Sequence, residues 1–393
     1  MESIRLGIIG TGSVVREIYQ HLYFASEYSH LLTIEAAADP NELALHDFCD
    51  RYHIPRNRRF TDYKRMIQQV KLDAVQVNTP DALHRQPTVD ALAAGLDVMV
   101  PKPLAATIAD GHAMITALRQ SGRLMGVDFH KREDPRIKEA AARYQKGEYG
   151  TLQCSIWYMI DKLLVADPNH HPRFFASADF AHQNSPISFL TVHMVDALIR
   201  IVRLRPAQVR AHAWSQKLPS LKPIAVPGYD LCDTEVTFEN GAVAHIVTGW
   251  HLPNGAHALT VQSARLVCTE GMLDLGLDVP GYHELGREGI VERNPLFRNF
   301  EPDGRVTGYG MSSPGRIYER FLRAANGQLS TDQRATMLTP VELGFWTTAV
   351  LQAAESSLHR GHQLATGAVA GAPVDIRDLV RAALGDQAGE YLV

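Results

Sequence analysis

The sequence predicts two domains, an α/β domain built on a parallel sheet and an α+β domain whose sheet is mostly antiparallel. Three observations carry this prediction. The chain has 393 residues, which is long for one ordinary domain. Strand-like and helix-like segments alternate strictly in its first third, which is typical of a parallel sheet covered by helices on both faces. After about Gly150, strand-like segments follow one another with few helices between them.

The elements of the first third follow from hydrophobic periodicity. Nearly continuous apolar runs predict strands buried on both faces, and apolar residues at helical spacing predict the helices between them. The predicted strands are 4–9, 32–38, 73–77, 97–100 and 124–127. The predicted helices lie around 14–22, 42–52, 91–94 and 105–118.

The later elements are mainly strands, predicted at 151–160, 207–214, 233–238, 242–248 and 259–268. Asn240-Gly241 is a strong hairpin turn signal between two of them. Helices are predicted at 187–202 and 343–359, and the region 281–314 is rich in loop-forming residues. Trp157 and Tyr158 are expected either in the core of the sheet or as residues that stack on a sugar, and we favour the core. The predicted domain boundary divides residues 1–126 from residues 127–393.

Composition and charge exclude several classes of protein. A net charge of -4 with 21% charged residues gives no field that would gather nucleic acid or an anionic membrane. The four cysteines are far apart and form no Cys-x-x-Cys pair, so we expect no metal site on them. Sparse cysteine fits a reducing compartment, and neither a signal peptide nor a membrane span is evident. We therefore expect a cytoplasmic protein without nucleic-acid or membrane partners.

A glycine-rich turn directly follows the first strand and opens a helix. Gly10 permits the tight turn, and Gly12 lets the backbone approach a pyrophosphate. The pyrophosphate would lie on the free N–H groups of the helix start, which places Thr11, Ser13 and Val14 at the cofactor. Val15 stands where the motif Gly-x-Gly-x-x-Gly has its third glycine, and we expect it to move the helix slightly off the sheet. Position and pattern together predict a dinucleotide site.

The end of the second strand indicates which dinucleotide binds. Asp39 stands there, where a carboxylate accepts both hydroxyls of the adenosine ribose and repels a 2′-phosphate. Pro40 and Asn41 follow, and neither is a basic residue that would attract that phosphate. The alternative role of Asp39 is to cap the next helix. We favour the ribose role and expect NAD as the cofactor.

Segments in a fixed order along the chain resemble the Gfo/Idh/MocA family of NAD(P)-dependent oxidoreductases. The matching segments are 7–12, Asp39, 78–80 with His84, 101–103, 130–135 and 193–196. The resemblance implies a Rossmann domain followed by a domain with a large open sheet, which is often used for oligomerisation. It further implies hydride transfer between a nicotinamide cofactor and a secondary hydroxyl of a sugar, polyol or related compound. A homodimer or homotetramer is the expected assembly.

The resemblance also implies roles for individual residues. Lys102 and His193 correspond to the acid/base groups, and Asp196, three residues after His193 on one helix face, would orient the imidazole. The cofactor residues beyond the glycine turn would be Thr79, Pro80, His84 and Lys102. The substrate residues would be His130, Arg132, Asp161 and Asp196. A histidine-rich stretch at 170–182 has irregular spacing, and no metal is predicted.

Two departures from the family pattern leave other functions open. Pro101 replaces the glutamate that usually precedes the lysine, and Phe189 replaces the first aspartate of the helix motif. One alternative is an NAD-dependent, redox-neutral glycoside-cleaving enzyme of the same fold, with His130 or a histidine of the 170–182 stretch as the extra base. The other is a catalytically lapsed, NAD-binding sensor or partner subunit.

Overall fold

The structure is a computed structural model that describes residues 1–175, 180–277, 282–286, 289–364 and 367–392. The chain forms two compact units, residues 1–134 with 295–345, and residues 135–294 with 346–393. The sequence placed a single boundary after residue 126, whereas residues 127–134 and 295–345 group with the first unit. The physical reason is burial, because the helix Tyr309–Ala325 contributes Tyr318 and Phe321 to the core of that unit.

The first unit contains a six-stranded sheet in which every strand pair is parallel. Its strands in chain order are β1 Ile4–Ile9, β2 Leu32–Ala38, β3 Arg59–Phe60, β4 Ala74–Val77, β5 Asp97–Pro101 and β6 Met125–Asp128. They are arranged in the order β3-β2-β1-β4-β5-β6, which is the doubly wound Rossmann order. The predicted α/β Rossmann class is confirmed. Strand β3 was not predicted from the sequence, because it is only two residues long.

Helices connect these strands and complete the unit. The α-helices are Gln20–Phe24, Glu42–Arg51, Tyr63–Gln69, Arg85–Ala93, Ile108–Ser121, Tyr309–Ala325 and Thr331–Ala335, and a π-helical segment covers Val15–Tyr19. Short 3-10 helices cover Ser29–Leu31, Arg56–Arg58, Asp81–Leu83 and His130–Glu133. A small hairpin pairs Asn299–Phe300 with Val306–Thr307. The helix Tyr309–Ala325 includes residues 309–314, which belong to the region 281–314 that the sequence predicted as rich in loops.

The second unit is built on a nine-stranded, mostly antiparallel sheet. Six of its strands are β7 Leu152–Lys162, β8 Pro206–Trp214, β9 Leu231–Phe238, β10 Val243–Leu252, β11 Thr260–Cys268 and β12 Met272–Gly276. They lie in the order β12-β11-β7-β10-β9-β8, and His362–Gln363, Ala368–Ala370 and Val374–Asp375 complete the sheet beyond β8. The pair β7 and β10 is parallel, and the other pairs are antiparallel. The predicted open, mostly antiparallel sheet is confirmed.

The second unit also contains helices. They are the α-helices Pro135–Gln145, Phe180–Gln183, Val192–Val202, Lys217–Ser220, Ile376–Leu384 and Gly389–Leu392, the π-helical segment Ile187–Thr191, and the 3-10 helices Leu163–Val165 and Gly385–Ala388. The helix Leu338–His359 begins five residues earlier than predicted, and this unit includes it from residue 346 onward. A further hairpin pairs Tyr282–Gly286 with Gly289–Arg293.

Two sequence expectations about β7 have different outcomes. Trp157 is fully buried, as predicted, whereas the side chain of Tyr158 is 43% exposed. The assignment of Tyr158 to the core is therefore wrong, because successive residues of a strand point to opposite faces of the sheet. Among the described residues, no helix is both long enough and apolar enough to cross a membrane.

Candidate active site

The glycine turn after β1 has the geometry of a phosphate-binding loop. Gly10 has a φ of +88°, and a Cβ there would lie 2.8 Å from the carbonyl oxygen of Asn78. A Cβ at Gly12 would meet nothing within 4 Å, so the space above this residue is open. The chain is helical from Ser13 onward, and the first N–H groups of a helix have no partner inside it. The turn thus combines a close backbone contact at Gly10 with an open surface at Gly12.

The first turn of this helix is unusual at Val15. Val15 is fully buried, and the segment Val15–Tyr19 is π-helical. The backbone N–H groups of Val15 and Arg16 both donate to the carbonyl of Gly12, at 3.2 Å and 3.3 Å. The valine that replaces the third glycine of the motif therefore packs into the core and leaves the turn itself intact.

A chain of hydrogen bonds between buried side chains ends at the backbone of the glycine turn. The Tyr318 hydroxyl donates to Gln76 Oε1 at 2.7 Å, and Gln76 Nε2 donates to Asn78 Oδ1 at 2.8 Å. The Asn78 Nδ2 then donates to the carbonyl of Gly10 at 3.3 Å. Tyr318 and Gln76 were not identified from the sequence, since they are 242 residues apart. A glutamine inside an otherwise apolar strand was the one local signal.

Asp39 lies at the end of β2 and faces the glycine turn. Its Oδ2 accepts from the backbone N–H of Thr11 at 2.7 Å and from the Thr11 hydroxyl at 3.1 Å. Its Oδ1 accepts from the backbone N–H of Asn41 at 2.8 Å. The cap of the helix Glu42–Arg51 is Asn41, whose side chain accepts from Leu43 and Ala44. Asp39 is therefore not the helix cap, and Thr11 orients this carboxylate.

The Thr79-Pro80 turn and the Lys102-Pro103 turn are joined by His84. His84 is 1% exposed, with Nε2 3.1 Å from the carbonyl oxygen of Thr79 and Nδ1 3.1 Å from that of Pro103. Burial lowers the pKa of His84. This residue thus lies behind the two turns and fixes their spacing. The hydroxyl of Thr79 is buried and has no hydrogen-bond partner within the described residues, which leaves a polar atom available to a ligand.

Lys102 and His130 lie near each other at the ends of β5 and β6. Lys102 is half-buried. Burial and the positive charges of Lys131 and Lys102 lower the pKa of His130 to about 3, so its imidazole is neutral near pH 7. The His130 ring packs against Phe297 and Tyr309, with ring centroids 5.2 Å and 5.9 Å away, and these two rings also contact each other. A neutral imidazole in this position can donate or accept a hydrogen bond but is a weak base.

Two further residues, Arg132 and Asp128, flank His130 in the sequence. Arg132 donates to the carbonyl of Pro340 at 2.8 Å, and its guanidinium lies 4.3 Å from the centre of the Phe129 ring. These two contacts hold part of the guanidinium, and the substrate role of Arg132 stays a prediction. Asp128 was not identified from the sequence. It is 5% exposed and accepts from the hydroxyls of Tyr19 at 2.9 Å and Ser313 at 2.6 Å. Burial raises the pKa of Asp128 to about 6.

The remaining predicted residues belong to the second unit. His193 is 6% exposed and Asp196 is 2% exposed, on the helix Val192–Val202. Thr347 donates its hydroxyl to Asp196 Oδ1 at 3.4 Å, which fixes the carboxylate. Phe189 packs against the rings of Phe180, Phe175 and Trp250 at centroid distances of 4.9, 5.7 and 5.7 Å. An aromatic cluster therefore surrounds Phe189, the residue at the place where the helix motif described above has its first aspartate.

Asp161 stands at the end of β7 and is 5% exposed. It lies opposite Thr260 of β11, so the strand register fixes it at one end of the sheet. In the first unit, the candidate cofactor residues follow the carboxyl ends of the parallel strands. Gly10 follows β1, Asp39 follows β2, Thr79 follows β4 and Lys102 follows β5. Ligands of open α/β sheets bind at this edge.

Comparisons with known proteins agree with this arrangement. Residues 4–129 match the profile of the Gfo/Idh/MocA oxidoreductase family, described as an NAD-binding Rossmann fold. An inositol 2-dehydrogenase of Paracoccus denitrificans is 30% identical over 36% of this chain and 42% of its own length. A D-glucoside 3-dehydrogenase of Escherichia coli is 24% identical over 63% of this chain and 71% of its own length.

A solved structure shares the fold over nearly the whole chain. It is the scyllo-inositol dehydrogenase of Lactobacillus casei with bound NAD(H) and scyllo-inositol. The TM-score is 0.71 at 17% identity, and the match covers 95% of this chain and 99% of that one. Both units described above therefore have counterparts in one known architecture.

Proposed function

We propose that the chain is an NAD-dependent dehydrogenase acting on a secondary hydroxyl of a sugar or polyol, and the match of residues 4–129 to the Gfo/Idh/MocA oxidoreductase profile supports this proposal. The observation that carries the proposal is the open surface above Gly12 beside the fixed carboxylate of Asp39. The inositol and glucoside dehydrogenases among its relatives support a carbohydrate-like substrate.

The residues of the first unit fit a nicotinamide dinucleotide. The open space above Gly12 and the helix N–H groups that follow it suit a pyrophosphate. The Asp39 carboxylate suits the adenosine ribose, and the buried Thr79 hydroxyl offers a further polar contact. When bound, the nicotinamide ring supplies the acceptor or donor of a hydride.

The chain's own residues handle the hydroxyl proton. We assign the acid/base role to Lys102 Nζ and the His193 imidazole, each of which can take or return a proton at the reacting oxygen. His84 positions the backbone of the Lys102-Pro103 turn, and Asp196 orients His193. His130, neutral and packed against aromatic rings, contributes a hydrogen bond rather than a base. We assign Asp161 to the residues that bind the substrate.

Asp39 is expected to make the protein selective for NAD. Its negative charge would repel the 2′-phosphate of NADP, and its oxygens would accept from the two ribose hydroxyls. We expect NAD to bind at least about tenfold more tightly than NADP, which corresponds to about 1.4 kcal/mol. Isothermal titration with each dinucleotide measures this ratio.

The variant Asp39→Asn tests whether the charge of this residue causes the preference for NAD over NADP. Its amide oxygen can still accept from Thr11, but the repulsive charge is lost, so we expect the preference for NAD to shrink. Asp47→Ala is the control, because Asp47 forms an exposed ion pair with Arg51. Equal affinity of the native protein for both dinucleotides would remove the ribose role of Asp39.

The two glycines of the turn are expected to respond differently to alanine. Gly10→Ala forces a Cβ against the Asn78 carbonyl at a positive φ, so we expect a loss of about 1–3 kcal/mol of stability. Gly12→Ala leaves the melting temperature unchanged but places a methyl group where the pyrophosphate binds. We expect its Kd for NAD to rise at least about tenfold. Native NAD affinity in Gly12→Ala would show that the pyrophosphate lies elsewhere.

One face of the second sheet suits contact with another copy of the chain. Ile156, Tyr158, Val261, Val267 and Met272 are each more than 40% exposed. The strand register places them on the same face of β7, β11 and β12. Burying such a surface would release ordered water from about a few hundred Å² of apolar area. We propose that this face holds a homodimer or homotetramer together.

Light scattering after size exclusion tests the assembly. We expect a dimer or tetramer for the native chain and a smaller species for the double variant Ile156→Lys with Tyr158→Lys. Leu43→Lys is the matched control, since Leu43 is 83% exposed on the first unit. A monomeric native chain would contradict the proposed assembly.

A ligand screen tests the proposed function itself. Sugars, polyols and sugar acids are added with and without NAD, and thermal unfolding is followed, because a ligand that binds only the folded protein raises its apparent stability. We expect a sugar or polyol to raise the melting temperature further when NAD is present. A compound found in this way is the substrate candidate for the kinetic experiments below.

A further inference from the structure

Two histidines and one glutamate of the second unit form a cluster that has no part in the proposed reaction. His257 lies in the connection between β10 and β11, His283 in the strand Tyr282–Gly286, and Glu292 in the strand Gly289–Arg293. The hairpin register places His283 opposite Glu292. The backbone N–H of Glu292 donates to the carbonyl of His257 at 2.9 Å, which fixes the third member against the hairpin.

The distances within this cluster match those between the ligands of a metal ion. His257 Nε2 lies 3.0 Å from Glu292 Oε2, and His283 Nε2 lies 3.6 Å from the same oxygen. One donor atom from each of the three residues lies within 4.8 Å of the other two. Around tetrahedral zinc, with bonds of about 2.0–2.2 Å, neighbouring ligand atoms are about 3.3 Å apart. A small adjustment of the side chains would therefore bring the three donor atoms to the spacing of ligands around tetrahedral zinc.

Burial and charge favour a cation in this place. The Glu292 side chain is 5% exposed, whereas His257 and His283 are 53% and 41% exposed. Among the described residues, these two imidazoles are the ion-pair partners of the carboxylate. A nearly buried carboxylate requires a compensating charge or hydrogen bonds. A neutral imidazole supplies one N–H donor and one lone pair, and that lone pair can bind a metal.

We propose that His257, His283 and Glu292 bind one divalent transition-metal ion of the zinc class. Two imidazole nitrogens and one carboxylate oxygen suit Zn²⁺ and Co²⁺, and the exposed side of the cluster leaves a coordination position for water. The ion joins the paired strands Tyr282–Gly286 and Gly289–Arg293 to the connection that carries His257. Its consequence is a metal-dependent gain in the stability of the second unit, independent of the cofactor site.

Metal titration of the full chain tests this site. The chain is first treated with a chelator, and Co²⁺ and Zn²⁺ are then added while the visible absorbance, the heat of binding and thermal unfolding are followed. We expect one ion per chain, visible bands typical of tetrahedral Co²⁺, and a higher melting temperature. Binding should weaken as the pH falls, because protonated imidazoles cannot act as ligands.

Variants identify the ligands. His257→Ala and His283→Ala change exposed side chains, and each should weaken binding of the ion at least about tenfold, or about 1.4 kcal/mol. His245→Ala is the matched control, since the His245 side chain is 40% exposed and also lies beside two carboxylates, 3.5 Å from Asp233 and 3.8 Å from Glu235. Native affinity in the two ligand variants, or no stoichiometric binding by the native chain, would overturn the proposal.

Discussion

Replacing Lys102 with methionine is expected to lower turnover by about a hundredfold or more while NAD still binds. Lys102 lies between strand β5 and Pro103, and the carbonyl of Pro103 is held by the buried His84. Its ammonium is close enough to His130 to help lower the pKa of that imidazole. Methionine keeps the length of the side chain and removes the proton donor, so the loss reports acid/base catalysis, which contributes about 10²–10⁴-fold.

Steady-state kinetics and titration with NAD measure the two parts of this prediction. Lys71→Met is the control, because Lys71 is an exposed lysine in the same unit. His84→Ala adds a positioning test, since it should lower kcat without removing any group that touches the substrate. A native rate for Lys102→Met would exclude this lysine from proton transfer.

Replacing His193 with alanine is expected to have an effect of similar size. The imidazole is 6% exposed and shares a helix face with Asp196, whose carboxylate is fixed by the Thr347 hydroxyl. We expect kcat to fall by about a hundredfold or more, with NAD affinity unchanged. Asp196→Asn should cause a smaller loss, because it disturbs the orientation of the imidazole and leaves the group in place.

The controls for His193 separate catalysis from folding. His362→Ala removes an exposed histidine of the same unit and should leave the rate unchanged. Circular dichroism and the melting temperature establish whether His193→Ala is folded, and NAD titration establishes whether the cofactor still binds. Native turnover in a folded His193→Ala variant would show that another group moves the proton.

The sequence could predict the parts of the site that are built from neighbouring residues. The turn at Gly10 and Gly12 follows a buried strand and opens a helix, so its pattern and its geometry come from one short segment. Asp39 was found in the same way, from its place at the end of the second strand. Both predictions depend on local backbone geometry, which hydrophobic periodicity reveals.

Other parts depend on contacts between distant segments and could not be predicted. Tyr318 reaches Gln76 because the helix Tyr309–Ala325 packs on the first unit, and its Gly, Ser and Pro residues resemble a loop in sequence. The hydrogen bond from Arg132 to the carbonyl of Pro340 likewise joins residues 208 positions apart. The side chains of the metal cluster come from three separate segments with no shared motif.

The structure bears differently on the two alternative functions. A redox-neutral glycoside-cleaving enzyme needs one further base, and a pKa of about 3 makes His130 a poor choice for that role. A lapsed enzyme is suggested by Phe189, because an aromatic cluster with Phe180 and Trp250 replaces a polar group. Lys102 and His193 are nevertheless both present, and they are the groups that the proposed chemistry requires.

The most direct test of the account is the fate of a deuterium label on the reacting carbon of the substrate found in the ligand screen. The chain is incubated with that compound and excess NAD, and NADH absorbance and its deuterium content are followed. We predict that labelled NADH accumulates over many turnovers in proportion to the oxidised product. Cleavage of a glycoside without net NADH, or firm NAD binding with no transfer of the label, would contradict the assignment as a dehydrogenase.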